Sequence, residues 1–262
     1  MKWPVLVFIS GFLFFGSANV AAVSAQQPGV TSQDYRNLIE KYRLQQDQFS
    51  IASSSYYSLK TFAAQEEAVQ SGRDLFLTRA NVLISYYLGL SETLIAQSTL
   101  NQANKEALNA QLVSVLEKLG QHRARVDIAT DRVRLAQETA WMKTEEKELL
   151  LISDRASALI RIGQLQNAFN QLKDVRNHIQ AVIQASPMSE TKRVEKFRGI
   201  EEIDRNLVSA ESQLAQANLL YTDSVTRSSN AGVNNQVSDQ LSGAFIKMLA
   251  SISFALELAS DV

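Results

Sequence analysis

From Ser32 onward, apolar residues recur at alternating steps of three and four, the spacing that gathers side chains on one face of an α-helix. Leu38, Tyr42, Gln45, Phe49, Ala52, Tyr56, Leu59 and Ala63 keep these steps, and the pattern predicts a helix over about residues 33–70. Thr31-Ser32 ahead of Asp34 offers cap residues and an acid in the first turn, where the helix dipole favours negative charge. Ser71-Gly72 is a weak break. The stripe continues through Leu75, Val82, Tyr86 and Leu90, as one kinked helix or as two. Thr99 and Asn101 are cap residues, and after Asn101 no large apolar side chain comes before Leu108, so a turn is predicted near residue 100.

The clearest periodicity follows in Leu108, Leu112, Val115, Leu119, His122, Val126, Ala129, Val133, Ala136 and Ala140, which argues for coiled-coil-like packing. A second run, Leu151, Arg155, Ala158, Ile162, Leu165, Phe169, Leu172, Arg176, Ile179 and Ile183, resumes the steps 11 residues after Ala140. One heptad plus four is a stutter, which a continuous helix accommodates by local unwinding. No Gly or Pro interrupts the stretch between the runs, so one helix from about 102 to 186 is the preferred reading, on the order of 130 Å long at 1.5 Å per residue. The alternative is a hairpin turning around Ser153-Asp154.

Pro187 ends this segment, and Ser189 caps the next, in which Ile200, Ile203, Leu207, Ala210, Leu214, Ala217 and Tyr221 form the stripe. Residues 227–239, RSSNAGVNNQVSD, read as a loop before a closing apolar helix. No segment alternates with period two between turn residues, so no strands are predicted. The fold class expected is all-α: an elongated antiparallel helical bundle with coiled-coil-like heptad packing.

The first residues change the picture of where the protein works. Lys2, an apolar run from Val5 to Phe15 and small residues ending at Ala25 form the three parts of a secretory signal peptide. The apolar run is shorter than the roughly 20 residues of a spanning helix, so cleavage after Ala25 is expected. The chain then divides into a signal peptide (1–25), a long-helix region (26–229) and a loop with an apolar C-terminal helix (230–262). Localisation is predicted as periplasmic, cell-surface or extracellular.

Composition narrows the chemistry. The absence of cysteine excludes disulfides, thiolate metal sites, cysteine nucleophiles and a lipidated N-terminus. With 26 Lys+Arg against 27 Asp+Glu interspersed along the chain, no basic stripe exists to attract nucleic acid. No phosphate-binding glycine loop or nucleophile elbow occurs, so no catalytic residue, cofactor or small-molecule ligand is predicted, and the chain reads as a non-enzyme.

Two histidines far apart in sequence make no metal site. His122 occupies a seam position, where a polar residue fixes register; a pH switch is its functional alternative. His178 lies toward a helix C-terminus, where positive charge is favourable. Arg123 with Asp127, Arg134 with Glu138 and Glu201 with Arg205 read as solvated i,i+4 pairs worth about 0.2 to 0.5 kcal/mol each. Trp141 sits where the register shifts, either filling the gap of the stutter or facing a partner.

The closing stretch LSGAFIKMLASISFALELA, residues 241–259, is apolar enough to raise the question of a membrane. Its large apolar residues gain about 0.3 to 0.6 kcal/mol each on insertion, while Lys247 and Glu257 cost up to about 2.5 to 3.5 kcal/mol each, and the totals roughly cancel. Spanning is therefore not favoured. Leu241, Phe245, Met248, Ile252, Ala255 and Ala259 form the stripe expected to face the bundle. The functional expectation is an exported structural or protein-interaction module, with a protein partner or self-association through heptad seams. Signal peptide, long helices and one apolar helix also make an architecture that resembles the secreted α-pore-forming toxins, and that resemblance implies membrane activity through the C-terminal helix as the alternative.

Overall fold

The computed structural model describes residues 31–227 and 233–260; the predicted leader lies outside the described residues. They form six helices and no strand: α1 (Thr31–Leu59), α2 (Phe62–Ala96), α3 (Gln102–Asp127), α4 (Arg132–Ala185), α5 (Glu190–Arg227) and α6 (Val233–Ser260). The protein is an all-α helical bundle. Its contacts divide it into two compact units, with the division between Gly89 and Leu90, inside α2.

In the first unit α1 and α2 form an antiparallel hairpin. Tyr35 meets Tyr86 at 6.3 Å and Phe49 meets Phe76 at 6.5 Å between ring centroids, so contacts move in opposite directions along the two helices. Tyr42, Phe49, Ala52, Ala64, Ala68, Leu75 and Phe76 are buried. The helix predicted over 33–70 is broken at Lys60-Thr61, and Ser71-Gly72 lies within α2. Lys60 takes a left-handed backbone (φ 53) while its N–H still bonds the Tyr56 carbonyl at 2.9 Å, a helix-ending conformation usually left to glycine. The Thr61 hydroxyl then accepts the N–H of Ala64 at 3.3 Å and starts α2. Leu59 and Ala63, expected in the seam, are exposed.

The second unit begins in the last turns of α2. Lys105 donates to the carbonyls of Ile95 and Gln97, supplying positive charge where α2 ends. Asn101 caps α3, its side chain accepting from Ala103 and Asn104, so the turn predicted near residue 100 is present. Neither the continuous helix over 102–186 nor the hairpin at Ser153-Asp154 occurs. The chain turns at Ile128–Asp131, where Asp131 accepts from the N–H groups of Val133 and Arg134 at 2.8 and 2.9 Å and restarts the helix as α4.

That turn resets the register. Val133, Ala136 and Ala140, the expected continuation of the seam, are exposed, and the buried positions are Leu135, Glu138, Met142, Leu149, Ile152, Ala156, Leu159 and Gly163. These keep heptad steps, so α4 has no stutter. They face α3, which runs antiparallel: Lys118 reaches Glu145 and Glu148, and the Thr99 hydroxyl reaches the Gly163 carbonyl at 2.8 Å. A Cβ on Gly163 would lie 2.9 Å from Leu100 Cγ, so the absence of a side chain lets the loop before α3 close on α4.

The second predicted run is a second seam on α4, turned by about 100° from the first, as one residue of helix requires. Arg155, Ile162, Phe169, Leu172 and Ile183 are buried on it and face α5. Arg155 donates to the Ser224 carbonyl at 3.2 Å, and Arg176 clamps Asp204 with Nε 2.7 Å from Oδ1, so α5 is antiparallel to α4. At Arg155-Ala156 and Ile162-Gly163 adjacent residues are both buried, one on each seam, so both seams are occupied at once there. The interval of 11 residues is thus a change of partner.

Ser186 and Pro187 separate α4 from α5, and Ser189 caps α5 through the Lys192 N–H. Every residue of the predicted α5 stripe, from Ile200 to Tyr221, is buried. α6 packs antiparallel on α5 and also against α4. Lys196 donates to the Leu258 carbonyl at one end, and Gly243 lies against Gln213 nearer the other. The interface is lined by small residues: Gly199, Ala210, Ala217, Gly243, Ala244 and Ser251 let the two helices approach closely. Of the loop predicted over 227–239, Val233–Asp239 is the first part of α6 and 228–232 lie outside the described residues.

Candidate functional site

Two features stand apart from simple core packing. The first is a polar cluster near the α3–α4 turn. His122 is 3% exposed, on the face of α3 that packs against α4, and its Nδ1 lies 2.7 Å from Glu138 Oε2. An ionised carboxylate only accepts hydrogen bonds, so Nδ1 carries the proton and donates. Arg125, one helical turn along α3, donates from Nε to Glu138 Oε1 at 2.8 Å. Both carboxylate oxygens are therefore engaged.

Trp141, one turn beyond Glu138 on α4, lies flat against the His122 ring, with centroids 4.7 Å apart and planes 18° from parallel. The Arg125 guanidinium carbon stands 5.0 Å from the Trp141 ring centre, a cation–π arrangement. Burial pushes the Glu138 carboxyl up, but the hydrogen bonds from Arg125 and His122 outweigh it and hold the group below its usual 4.5. Beside this cluster Lys118 bridges Glu148 at 2.6 Å and Glu145 at 2.9 Å, and these hydrogen bonds raise its pKa.

The cluster corrects two readings. Glu138 is not a solvated partner of Arg134: it is buried and held from α3, while Arg134 pairs with Asp131 at 3.4 Å. Trp141 fills no stutter, because none exists; it lies against His122 and Arg125. Arg205 pairs with Glu202, where the sequence suggests Glu201. His122 does occupy the seam, and its bond to Glu138 fixes one register between α3 and α4. His178 is exposed on α4 and lies away from this cluster.

Among the described residues, no three or more Asp, Glu or His side chains gather as metal ligands would. The cluster's geometry binds two helices together: the contacts of Lys118, His122 and Arg125 with Glu138, Glu145 and Glu148 all run from α3 to α4.

No protein-family model, curated protein or solved structure matches the chain. The functional reading therefore rests on the molecule's own surfaces.

The second feature is the outward face of α6. The helix carries two apolar stripes. Val237, Leu241, Ala244, Met248, Ser251, Ala255 and Leu258 are buried in the bundle. Phe245, Leu249, Ile252 and Leu256 form a second stripe about 100° away and remain exposed, with Ile246 on its flank. Phe245 and Ile252, predicted to face the bundle, are thus 50% and 40% exposed. The broad apolar arc hides this division because both faces are apolar. Asn235–Ala259 is long and apolar enough to cross a membrane by length and composition, with 33% of its most apolar stretch buried inside the fold.

Proposed function

We propose that the chain is an exported, non-enzymatic helical protein that binds other protein surfaces at the cell envelope or outside the cell. The exposed apolar stripe of α6 carries this reading. A contiguous apolar patch on a helix anchored by its opposite face is the usual mark of an interaction surface. The signal-peptide pattern of residues 1–25 supports export.

A second reading, membrane activity through α6, is favoured by the length and apolar composition of Asn235–Ala259. The buried stripe weighs against it, because inserting α6 strips Leu241, Met248 and Leu258 from α4 and α5.

Cell fractionation with N-terminal sequencing tests the export part: the mature protein is expected outside the cytoplasm, beginning at Gln26. Recovery from the cytosol with Met1 intact refutes it. Dye release from liposomes by the mature protein at neutral or mildly acid pH would overturn the interaction reading in favour of the membrane one.

A further inference from the structure

The stripe on α6 has a regular form. Phe245, Leu249, Ile252 and Leu256 are spaced four, three and four, and the small exposed residues Ser242 and Ala259 stand at its two ends. A narrow stripe at strict heptad spacing is a coiled-coil seam; helices that lie in a lipid interface present a wider apolar arc flanked by basic residues. Lys247 is the one basic residue in α6, and it lies on the far side of the helix from the stripe. No charged side chain stands on the stripe itself.

Reversing the stripe reproduces it. An antiparallel pairing centred between Ala250 and Ser251 sets Leu249 against Ile252 of a second copy, Phe245 against Leu256, and Ser242 against Ala259. Large meets large in the middle and small meets small at the ends, the self-complementarity a two-fold interface demands. The opposed helix dipoles also favour this direction.

We infer that the mature protein self-associates as an antiparallel dimer through the outward face of α6, with Phe245, Leu249, Ile252 and Leu256 as its seam. This rests on the interaction reading above and names the partner as a second copy of the chain. With about 150 to 250 Å² of surface on a large side chain, the exposed fractions of these four residues and Ile246, between 40% and 66%, leave about 400 to 650 Å² per copy. Pairing with the flanking small residues then removes on the order of 1,000 Å² in total, the lower bound for a specific interface, and points to a weak, reversible dimer.

The test uses the full mature chain, which has no cysteine of its own. Two variants, Ser242→Cys and Ala259→Cys, are oxidised separately and as an equimolar mixture, alongside sedimentation of the unmodified protein over a concentration series up to about 200 μM, where a weak micromolar dimer is populated. In the antiparallel dimer the two sites meet, whereas two copies of one site lie about 25 Å apart along the helix. The mixture is expected to give a covalent dimer containing both variants, with little product from either alone. The unmodified protein should shift from monomer to dimer with concentration. Leu249→Asp, at an exposed position, should abolish that shift without changing helicity or melting temperature.

A strictly monomeric unmodified protein overturns the inference, as does ready cross-linking of one variant with itself or an undiminished dimer in Leu249→Asp. A monomer that instead binds neutral phosphatidylcholine vesicles through α6 also overturns it, with lipid as the occupant. Failure here leaves the export test untouched, so the two outcomes remain distinguishable.

Discussion

Replacing Glu138 by Gln tests the polar cluster most directly. The carboxylate accepts from His122 at 2.7 Å and Arg125 at 2.8 Å, and the Glu138 side chain is 11% exposed. Hydrogen bonds to charged groups contribute about 1.5 to 3 kcal/mol each when buried. The Arg125 side chain is 40% exposed, so solvent screening reduces its share. Gln retains the shape and can still accept from one donor, which leaves a net loss of about 1 to 2 kcal/mol, or about 3 to 6 °C in melting temperature for a chain of this size. Glu138→Ala removes both bonds and should cost about twice as much.

The sign with pH follows from the direction of the carboxyl shift. Because the fold holds Glu138 below its usual 4.5, its contribution is fully present above that value and is lost as pH falls through the lowered one. Thermal melts followed by circular dichroism should therefore show wild type above Glu138→Gln at pH 7, with the gap closing in acid below the usual carboxyl range. Equal stability at pH 7, or a gap unchanged down to about pH 2.5, would refute the assignment of a stabilising carboxylate.

Other predictions follow from backbone and caps. Gly120→Ala adds a methyl group to open space in α3 and should stabilise by about 0.5 to 1 kcal/mol, read by urea denaturation. Gly163→Ala gains the same propensity but drives Cβ against Leu100 and Gln97, so overpacking should win and destabilise by about 1 to 2 kcal/mol net. Asp131→Ala should cost about 1 kcal/mol by removing the two capping bonds at the start of α4, and Asp131→Asn should restore most of it.

Much of the architecture was legible in the spacing of apolar residues. The α5 stripe from Ile200 to Tyr221 is buried without exception, and the boundaries at Asn101 and Pro187 carry ordinary cap and stop residues. The two missed turns use neither glycine nor proline. Lys60 adopts a conformation its side chain disfavours, and the turn at residues 128–131 interrupts a stripe whose spacing small residues carry on past it. Ala136 and Ala140 satisfy heptad spacing but bury little, whereas Leu135, Met142 and Leu149 carry the apolar bulk that selects the real register. Glu138 could be placed only once the turn was known. Its partners lie 13 and 16 residues back, beyond any within-helix spacing.

α4 serves α3 with one face and α5 with another, and the buried residues of the two overlap only between residues 155 and 163. The angular setting of one helix pair against the other is therefore written in the phase of a single helix. One residue inserted in the overlap turns the part of α4 before it by about 100° against the part after it and splits both seams, while seven inserted residues restore the phase to within about 20°. In this stretch the chain stores an angle, and length matters more than the identity of most side chains along it.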